Sequence, residues 1–298
     1  MNKKTLFGEE YSYLIPLLLF KNAEGRVHSC FSNGFNIQMV DSLIFIGNNK
    51  NGLLPFGIHL KEEDTYRAVS SVKNGDDVKW NSHSNCIEFL NFSISIDGSQ
   101  SFKNEITPLK SETFDRSFEQ YCFYLRLLNV RTGLDISPYG FLQKLQSSNK
   151  EMHEAESYLI LLIKAAIIDD DILIDKVLKY FLGRGQGLTP SGDDMIVGFL
   201  AFDAISHFLS EKFYGKIAKK IEGESITTDI AKEYIRYALK REYSSTVTDL
   251  INSIACGNDR LKESFRNLLG VGHSSGLDTI LGILIGMLTF KNKKILSQ

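Results

Sequence analysis

Three aspartates stand where two apolar segments of the chain begin. Asp193 and Asp194 follow the glycine-rich residues 183–192 (GRGQGLTPSG) and precede an apolar run, while Asp278 follows His273 and two serines in the same manner. Carboxylates bind amino groups, orient water or coordinate Mg²⁺, whereas hydroxyls and backbone N–H groups at a helix start bind anions. These residue types predict a site for a small ligand that carries an anionic or carbamoyl group.

The two stretches repeat one pattern at an offset of 84 residues. Ser191 aligns with Ser275, and each opens a Ser-Gly-x-Asp sequence with a further glycine, Gly198 or Gly282, inside the apolar run. A glycine inside a helix costs about 1 kcal/mol relative to alanine, so close contact between helices is its best explanation. If the two helices cross at these glycines, the aspartates of both copies lie in one site.

The start of the first helix has two predicted forms. Either Thr189 caps it with Pro190 in the first turn, or Ser191 caps it and Asp194 closes a capping box. In this simpler interpretation the aspartates only stabilise helix ends and bind no ligand. Capping does not explain two adjacent acids or the three glycines before them, which allow backbone N–H groups to approach a ligand closely.

Two familiar nucleotide-binding motifs are excluded by the residues around the glycines. No lysine lies between Gly183 and Asp194, as a P-loop would require. The glycines follow a helix-like segment rather than a strand, unlike a dinucleotide fingerprint.

The candidate site combines ten residues from both copies. Their hydroxyl and N–H groups are expected to bind the anion, two aspartates to orient an amide or a cation, and the histidine to move a proton or simply to hydrogen-bond its own loop. No metal ligand is assigned, and Mg²⁺ is the one cofactor considered. The candidate catalytic residues are Asp194, Asp278 and His273, and the candidate ligand-binding residues are Gly187, Thr189, Ser191, Gly192, Asp193, Ser274 and Ser275.

The composition is that of an ordinary globular protein. The chain has 298 residues, 43% hydrophobic and 23% charged, and a net charge of −2 without long basic blocks. This balance argues against partners bound through bulk charge, such as nucleic acid or an acidic membrane. The apolar residues 279–290 are too few to span a bilayer. Four widely spaced cysteines indicate reduced thiols and a cytoplasmic protein.

The pattern along the chain predicts an α+β protein. A short helix is expected over residues 8–21, and residues 26–97 hold short apolar runs separated by turn residues, typical of an antiparallel sheet or small barrel. A polar linker follows at 97–112, and nearly all later segments have helical periodicity. We predict a β-rich N-terminal domain over residues 1–108 and an all-helical domain over residues 109–298.

The motifs resemble those of the AllH-like proteins. The sequence G-x-G-L-T-P-S-G-D-D at residues 185–194 is followed by G-H-S-S-G-x-D-x-x-x-G at residues 272–282, and residues 27–60 fit more loosely. One branch of this bacterial family is associated with the oxamate carbamoyltransferase of anaerobic allantoin breakdown. The resemblance implies a subunit of a multi-subunit enzyme, working beside two larger proteins in nitrogen catabolism.

In that enzyme the carbamoyl group of oxalurate passes to phosphate, which gives oxamate and carbamoyl phosphate. The resemblance therefore implies carbamoyl phosphate, phosphate or an oxamate-like anion as ligand. The S-x-R-T loop of ordinary transcarbamylases is absent from this chain. Two alternatives stay open: a scaffold subunit without chemistry, and a stand-alone Mg²⁺-dependent enzyme acting on a phosphorylated or acyl substrate.

Overall fold

The computed structural model describes residues 4–147, 151–223 and 225–296. The chain divides into two compact units, Met1–Asn104 and Glu105–Gln298. The first unit holds all ten strands of one sheet, and the second is helical, which confirms the predicted α+β class. That residues 1–108 and 109–298 form separate domains remains a prediction.

The N-terminal unit is a sheet of ten short strands in the order β1-β9-β8-β7-β3-β4-β5-β6-β2-β10. Its strands are β1 Lys4–Phe7, β2 Glu10–Ser12, β3 Glu24–Phe31, β4 Gly34–Met39, β5 Ser42–Gly47, β6 Gly57–His59, β7 Asp77–Asn81, β8 Cys86–Glu88, β9 Phe92–Ser95 and β10 Gln100–Phe102. Consecutive strands β1 and β2 lie near opposite ends of this order, although only two residues join them. The sheet must therefore curl back on itself.

The sheet is mixed, because β1 pairs with β9, β2 with β10 and β5 with β6 in parallel, while the other pairs are antiparallel. Residues 10–12 belong to β2, so the helix predicted over 8–21 is only α1, Ile15–Lys21. A further helix, α2 (Glu62–Ser70), was not predicted. The polar linker predicted over 97–112 contains β10.

The C-terminal unit contains ten α-helices among its described residues. They are α3 Phe114–Arg126, α4 Pro138–Leu145, α5 Glu154–Ile168, α6 Asp171–Phe181, α7 Ser191–Ser206, α8 Glu211–Gly223, α9 Asp229–Leu239, α10 Ser245–Cys256, α11 Leu261–Leu269 and α12 Ser275–Leu296. This agrees with the helical periodicity predicted for nearly all segments after the linker. No helix among the described residues is both long and apolar enough to cross a membrane. The four cysteines are free.

Helices α7 and α12 form the centre of this unit. In α7, residues 191–205 are all buried, so the helix is surrounded by protein on every side rather than amphipathic. The two helices run parallel, with Gly198 against the backbone of α12, Gly282 against the backbone of α7, and Gly286 against Phe202. The predicted close contact between helices at the two glycines is therefore confirmed.

Candidate functional site

Both helix starts are built by the same local packing. A Cβ atom on Gly192 would overlap the carbonyl oxygen of Phe181, at the end of α6, and one on Gly276 would overlap the carbonyl oxygen of Leu268 in α11. Each start is therefore pressed against the preceding helix at a position that only glycine fits. The Gly192 N–H donates to the Arg184 carbonyl at 2.8 Å, so it is not available to a ligand.

The contacts between α7 and α12 are reciprocal: residues that are 84 positions apart in sequence occupy equivalent places in the two helices. A side chain at Gly198 would overlap the carbonyl of Thr279, and one at Gly282 would overlap the carbonyl of Met195, which is the equivalent position. The parallel direction of the helices brings their N-termini together. Thr189 Oγ1 lies 3.1 Å from Ser275 Oγ across this junction.

The aspartate of each copy interacts with a serine of the other copy. The Ser275 hydroxyl lowers the pKa of the Asp194 carboxyl group, and the Ser191 hydroxyl lowers the pKa of the Asp278 carboxyl group. Each carboxylate therefore interacts with the first serine of the other helix. We call Asp194 and Asp278 the carboxylate pair.

The expected caps of α7 are wrong. Its N-cap residue is Pro190, with no side-chain hydrogen bond to the helix start. The Thr189 hydroxyl instead contacts the Ser275 hydroxyl, and the Ser191 hydroxyl acts on Asp278, so neither predicted capping group caps α7.

The carboxylate pair contains two buried oxygen atoms without a hydrogen bond. Asp278 has 0% of its surface exposed and Asp194 has 8%, and within the described residues the Oδ2 atom of each is buried without a partner. An unsatisfied buried polar group costs about 1–3 kcal/mol. A ligand that donates hydrogen bonds to these atoms would remove this cost.

Burial controls the electrostatics of the pair. It raises the pKa of Asp194 well above its ordinary value, and the charges of Asp278 and Asp193 raise it further. Burial also raises the pKa of Asp278, against the lowering effect of its hydrogen-bond donors. In the part of the chain that the structure describes, no lysine, arginine or histidine forms an ion pair with either residue. The apolar surrounding therefore disfavours a negative charge on both carboxyl groups at once.

A third segment completes the site and was missed by the sequence analysis. The turn between α3 and α4 places Gly133 against both helix starts, where its N–H donates to Asp278 Oδ1 at 2.9 Å. A Cβ atom on Gly133 would overlap Ser191 Oγ and lie 3.2 Å from Ser274 Oγ. The sequence marks a turn here, but no local signal connects it with residues about 60 and 145 positions further along the chain.

Asp193 has a different role from the carboxylate pair. Its Oδ1 accepts a hydrogen bond from the Gly183 N–H at 3.0 Å, and its Oδ2 accepts one from the Thr227 hydroxyl at 2.6 Å. Burial raises its pKa to about 6, against the lowering effect of these two donors. Asp193 therefore fastens the glycine loop and residue 227 to the start of α7.

The remaining predicted residues lie around the junction at different depths. Ser274 is half-buried and its hydroxyl lowers the pKa of Asp278, while Thr189 is half-buried beside Ser275. His273 and Gly187 are exposed. Their predicted roles toward a ligand remain predictions.

The buried phenol of Tyr234 also lies near the pair. Burial raises its pKa, and the negative charge of Asp194 adds to this effect. No group of three or more histidine, cysteine, aspartate or glutamate side chains among residues 4–147, 151–223 and 225–296 is arranged to hold a metal ion.

The paired helix starts define a candidate small-molecule site in the helical half of an α+β protein. One family model, described as oxamate carbamoyltransferase subunit AllH, matches residues 181–287, and a second, the AllH family N-terminal domain, matches residues 9–101. The chain belongs to the AllH family. No solved structure matches it. The first matched range contains both helix starts and the carboxylate pair.

Proposed function

We propose that this chain is a subunit of a carbamoyltransferase-type complex, and that its carboxylate pair binds the carbamoyl end of a small anionic ligand. The observation that supports this most directly is the pair of buried Oδ2 atoms without partners. A family model named for a subunit of oxamate carbamoyltransferase matches residues 181–287, which include both helix starts and the carboxylate pair.

The chemistry of the pair favours an amide over an anion as its direct partner. A carbamoyl group presents N–H donors beside a carbonyl acceptor, and the two buried Oδ2 atoms have no hydrogen-bond partner. A phosphate or carboxylate placed there would instead meet two acidic groups in a buried position, where like charges repel strongly.

The anionic end of the ligand is then directed toward the rim of the junction. Thr189 and Ser274 supply hydroxyls there, and exposed His273 stands at the outer edge. Two parallel helices direct the positive ends of their dipoles at this rim, which favours negative charge. A ligand such as carbamoyl phosphate or oxamate has an amide and an anion at its two ends, as this arrangement requires.

We place this activity in nitrogen catabolism of the allantoin or oxalurate type, in the cytoplasm, with the other subunits of the complex as partners. The family description supports a subunit role, and the free cysteines fit a reducing compartment. In this proposal the chain supplies the carbamoyl-binding site, and other subunits contribute the rest of the reaction centre.

Calorimetric titration of the full chain tests the proposal. Carbamoyl phosphate, oxamate and inorganic phosphate are titrated separately, each with and without Mg²⁺. We expect both amide ligands to bind without Mg²⁺ and more tightly than phosphate. Binding of phosphate alone, or binding that requires Mg²⁺, would contradict the proposed amide site and favour a metal-dependent enzyme.

Variants locate the site. Asp278→Ala is expected to abolish binding, and Ser191→Ala, which removes only one hydroxyl from Asp278, to weaken it. Asp259→Ala is the matched control, because this aspartate side chain is 99% exposed in an ion pair with Arg116. Circular dichroism shows whether each variant is folded. Unchanged binding in folded Asp278→Ala, or no binding of any ligand by the wild-type chain, would contradict the proposal and favour a scaffold subunit.

A further inference from the structure

The two members of the carboxylate pair have different hydrogen-bond partners, although their helices are equivalent. Asp278 Oδ1 accepts the backbone N–H of Gly133 at 2.9 Å. No backbone N–H of the described residues donates to Asp194, whose partners are the hydroxyls of Ser275 and Thr189.

This difference selects the ionisation state of each residue. A backbone N–H can only donate, so the Gly133 amide favours an ionised Asp278. A hydroxyl can donate or accept by rotating, so Ser275 and Thr189, which lower the pKa of Asp194 as donors, can also accept a hydrogen bond from the protonated acid. The turn that carries Gly133 therefore breaks the symmetry of the duplicated helices.

The charges around Asp194 act in the same direction. It lies in the fields of Asp193, on its own helix, and Asp278, on α12, while Tyr234 of α9 is the further ionisable group near it. Burial and these charges raise the pKa of Asp194 well above the ordinary value against two hydroxyl donors, whereas three donors, one of them a backbone N–H, oppose the rise at Asp278. Two close buried carboxyl groups commonly share one proton for this reason.

We propose that the pair holds one proton, on Asp194, and binds a primary carboxamide in two ways at once: Asp194 donates to the amide oxygen, and Asp278 accepts an amide N–H. The choice of ligand in this assignment rests on the proposed function, whereas the location of the proton on Asp194 does not. A donor at the carbamoyl oxygen also stabilises negative charge that develops there during acyl transfer.

The ligand class follows from this division. A primary amide presents an acceptor oxygen and an N–H donor side by side, which match a neutral and an ionised carboxyl group. The corresponding carboxylic acid loses the N–H and brings a second charge to Asp278. Oxamate should therefore bind, whereas oxalate, in which a carboxylate replaces the amide, should be rejected.

Infrared spectroscopy of the full chain without ligand tests the proton directly. At about pH 8, roughly two units above the pKa of about 6 of Asp193, that residue is ionised. We expect the carbonyl band of a protonated carboxylic acid in the wild-type chain. The band should disappear in Asp194→Asn and persist in Asp193→Asn, the adjacent control. Absence of the band from the wild-type chain, or its persistence in folded Asp194→Asn, would overturn the assignment.

Titration with oxamate and oxalate tests the binding mode. Asparagine at either position is neutral, so it replaces the donor at Asp194 but not the charged acceptor at Asp278. We expect Asp278→Asn to weaken oxamate binding at least about tenfold more than Asp194→Asn does, the size of one hydrogen bond to a charged group. Equal losses, or tighter binding of oxalate than of oxamate by the wild-type chain, would overturn the paired mode.

The two experiments separate this inference from the proposed function. If the infrared band is present but neither oxamate nor carbamoyl phosphate binds, the proposed function fails while the proton on Asp194 stands. If these ligands bind and the band is absent, only the further inference fails. Both decisive measurements use the wild-type chain, so neither depends on the folding of a variant.

Discussion

Gly198 and Gly282 lie at the crossing of α7 and α12, and each packs against the backbone of the other helix. The contact is reciprocal: Gly198 meets residue 279, and Gly282 meets residue 195. This close approach keeps the two helix starts side by side, which is the condition for Asp194 and Asp278 to form one site. The crossing and the site are therefore parts of one arrangement.

Alanine at Gly198 should separate the two helices. Its Cβ atom would overlap the carbonyl oxygen of Thr279, which is backbone and has no freedom to rotate away. We expect a loss of roughly 3 kcal/mol or more in the free energy of unfolding, as for overpacked cores. Chemical denaturation followed by circular dichroism measures it. The control is Gly215→Ala in α8, where a Cβ atom has no neighbour within 4 Å and alanine should stabilise the helix by about 0.5–1 kcal/mol. Equal stability of both variants would contradict the contact.

Asp193 should make the helical unit less stable as the pH rises. Its pKa is about 6 in the folded chain, above the ordinary value of 3.8, so the folded state holds the proton more tightly than the unfolded state. Its contribution to stability is therefore present below about pH 4 and lost by about pH 6. Chemical denaturation of the wild-type chain and of Asp193→Asn at several pH values isolates the contribution of Asp193 to the free energy of unfolding. The variant should have a flatter profile in this window, and an equal slope in both proteins would contradict the raised pKa.

Much of the helical half could be predicted because its signals are local. The glycines inside two apolar helices are enough to predict close helix contact at Gly198 and Gly282, and the Ser-Gly-x-Asp repeat at the same offset suggests that the two helices contact each other. The caps failed for a physical reason. Hydroxyls at a helix start bind whichever acceptor is closest, and here the closest acceptors belong to the other helix.

The missed features depend on contacts between residues far apart in sequence. Strand β1 has only four residues and is fixed by parallel pairing with β9, 88 positions away. No pattern within such a short segment indicates that partner. The same holds for Gly133. The sequence of its turn has no distinctive feature, and its place in the site depends on the packing of this turn against the starts of α7 and α12.

His59 should make the β-rich unit less stable in mild acid. The imidazole is buried, its Nε2 accepts the Leu54 N–H at 3.0 Å, and burial lowers its pKa to about 4. Below about pH 6.5 the unfolded chain binds the proton while the folded chain does not, so stability falls by up to about 3 kcal/mol as the pH approaches 4. Fluorescence of the single tryptophan, Trp80 in β7, follows unfolding of this unit.

A matched pair of variants assigns this effect. His59→Asn removes the titrating group and should flatten the profile between about pH 6.5 and pH 4. His83→Asn, at an exposed histidine, should leave the profile as in the wild-type chain. If the stability of the wild-type chain does not change with pH in this range, the folded chain binds the proton of His59 as readily as the unfolded chain does, which would contradict the lowered pKa.

Alanine at Gly133 should weaken the ligand site without unfolding the chain. Gly133 is not among the residues with positive φ, so alanine fits its backbone, but the Cβ atom would overlap Ser191 Oγ. The turn must then move away, which removes the N–H from Asp278 Oδ1 and leaves that carboxylate less oriented. We expect about tenfold weaker binding of oxamate or carbamoyl phosphate in calorimetric titration, the effect of one lost hydrogen bond to a charged group. Gly215→Ala serves again as the control, with wild-type affinity. Wild-type affinity in folded Gly133→Ala would show that the turn only lies beside the site, and that Asp278 is oriented by the hydroxyls of Ser191 and Ser274 alone.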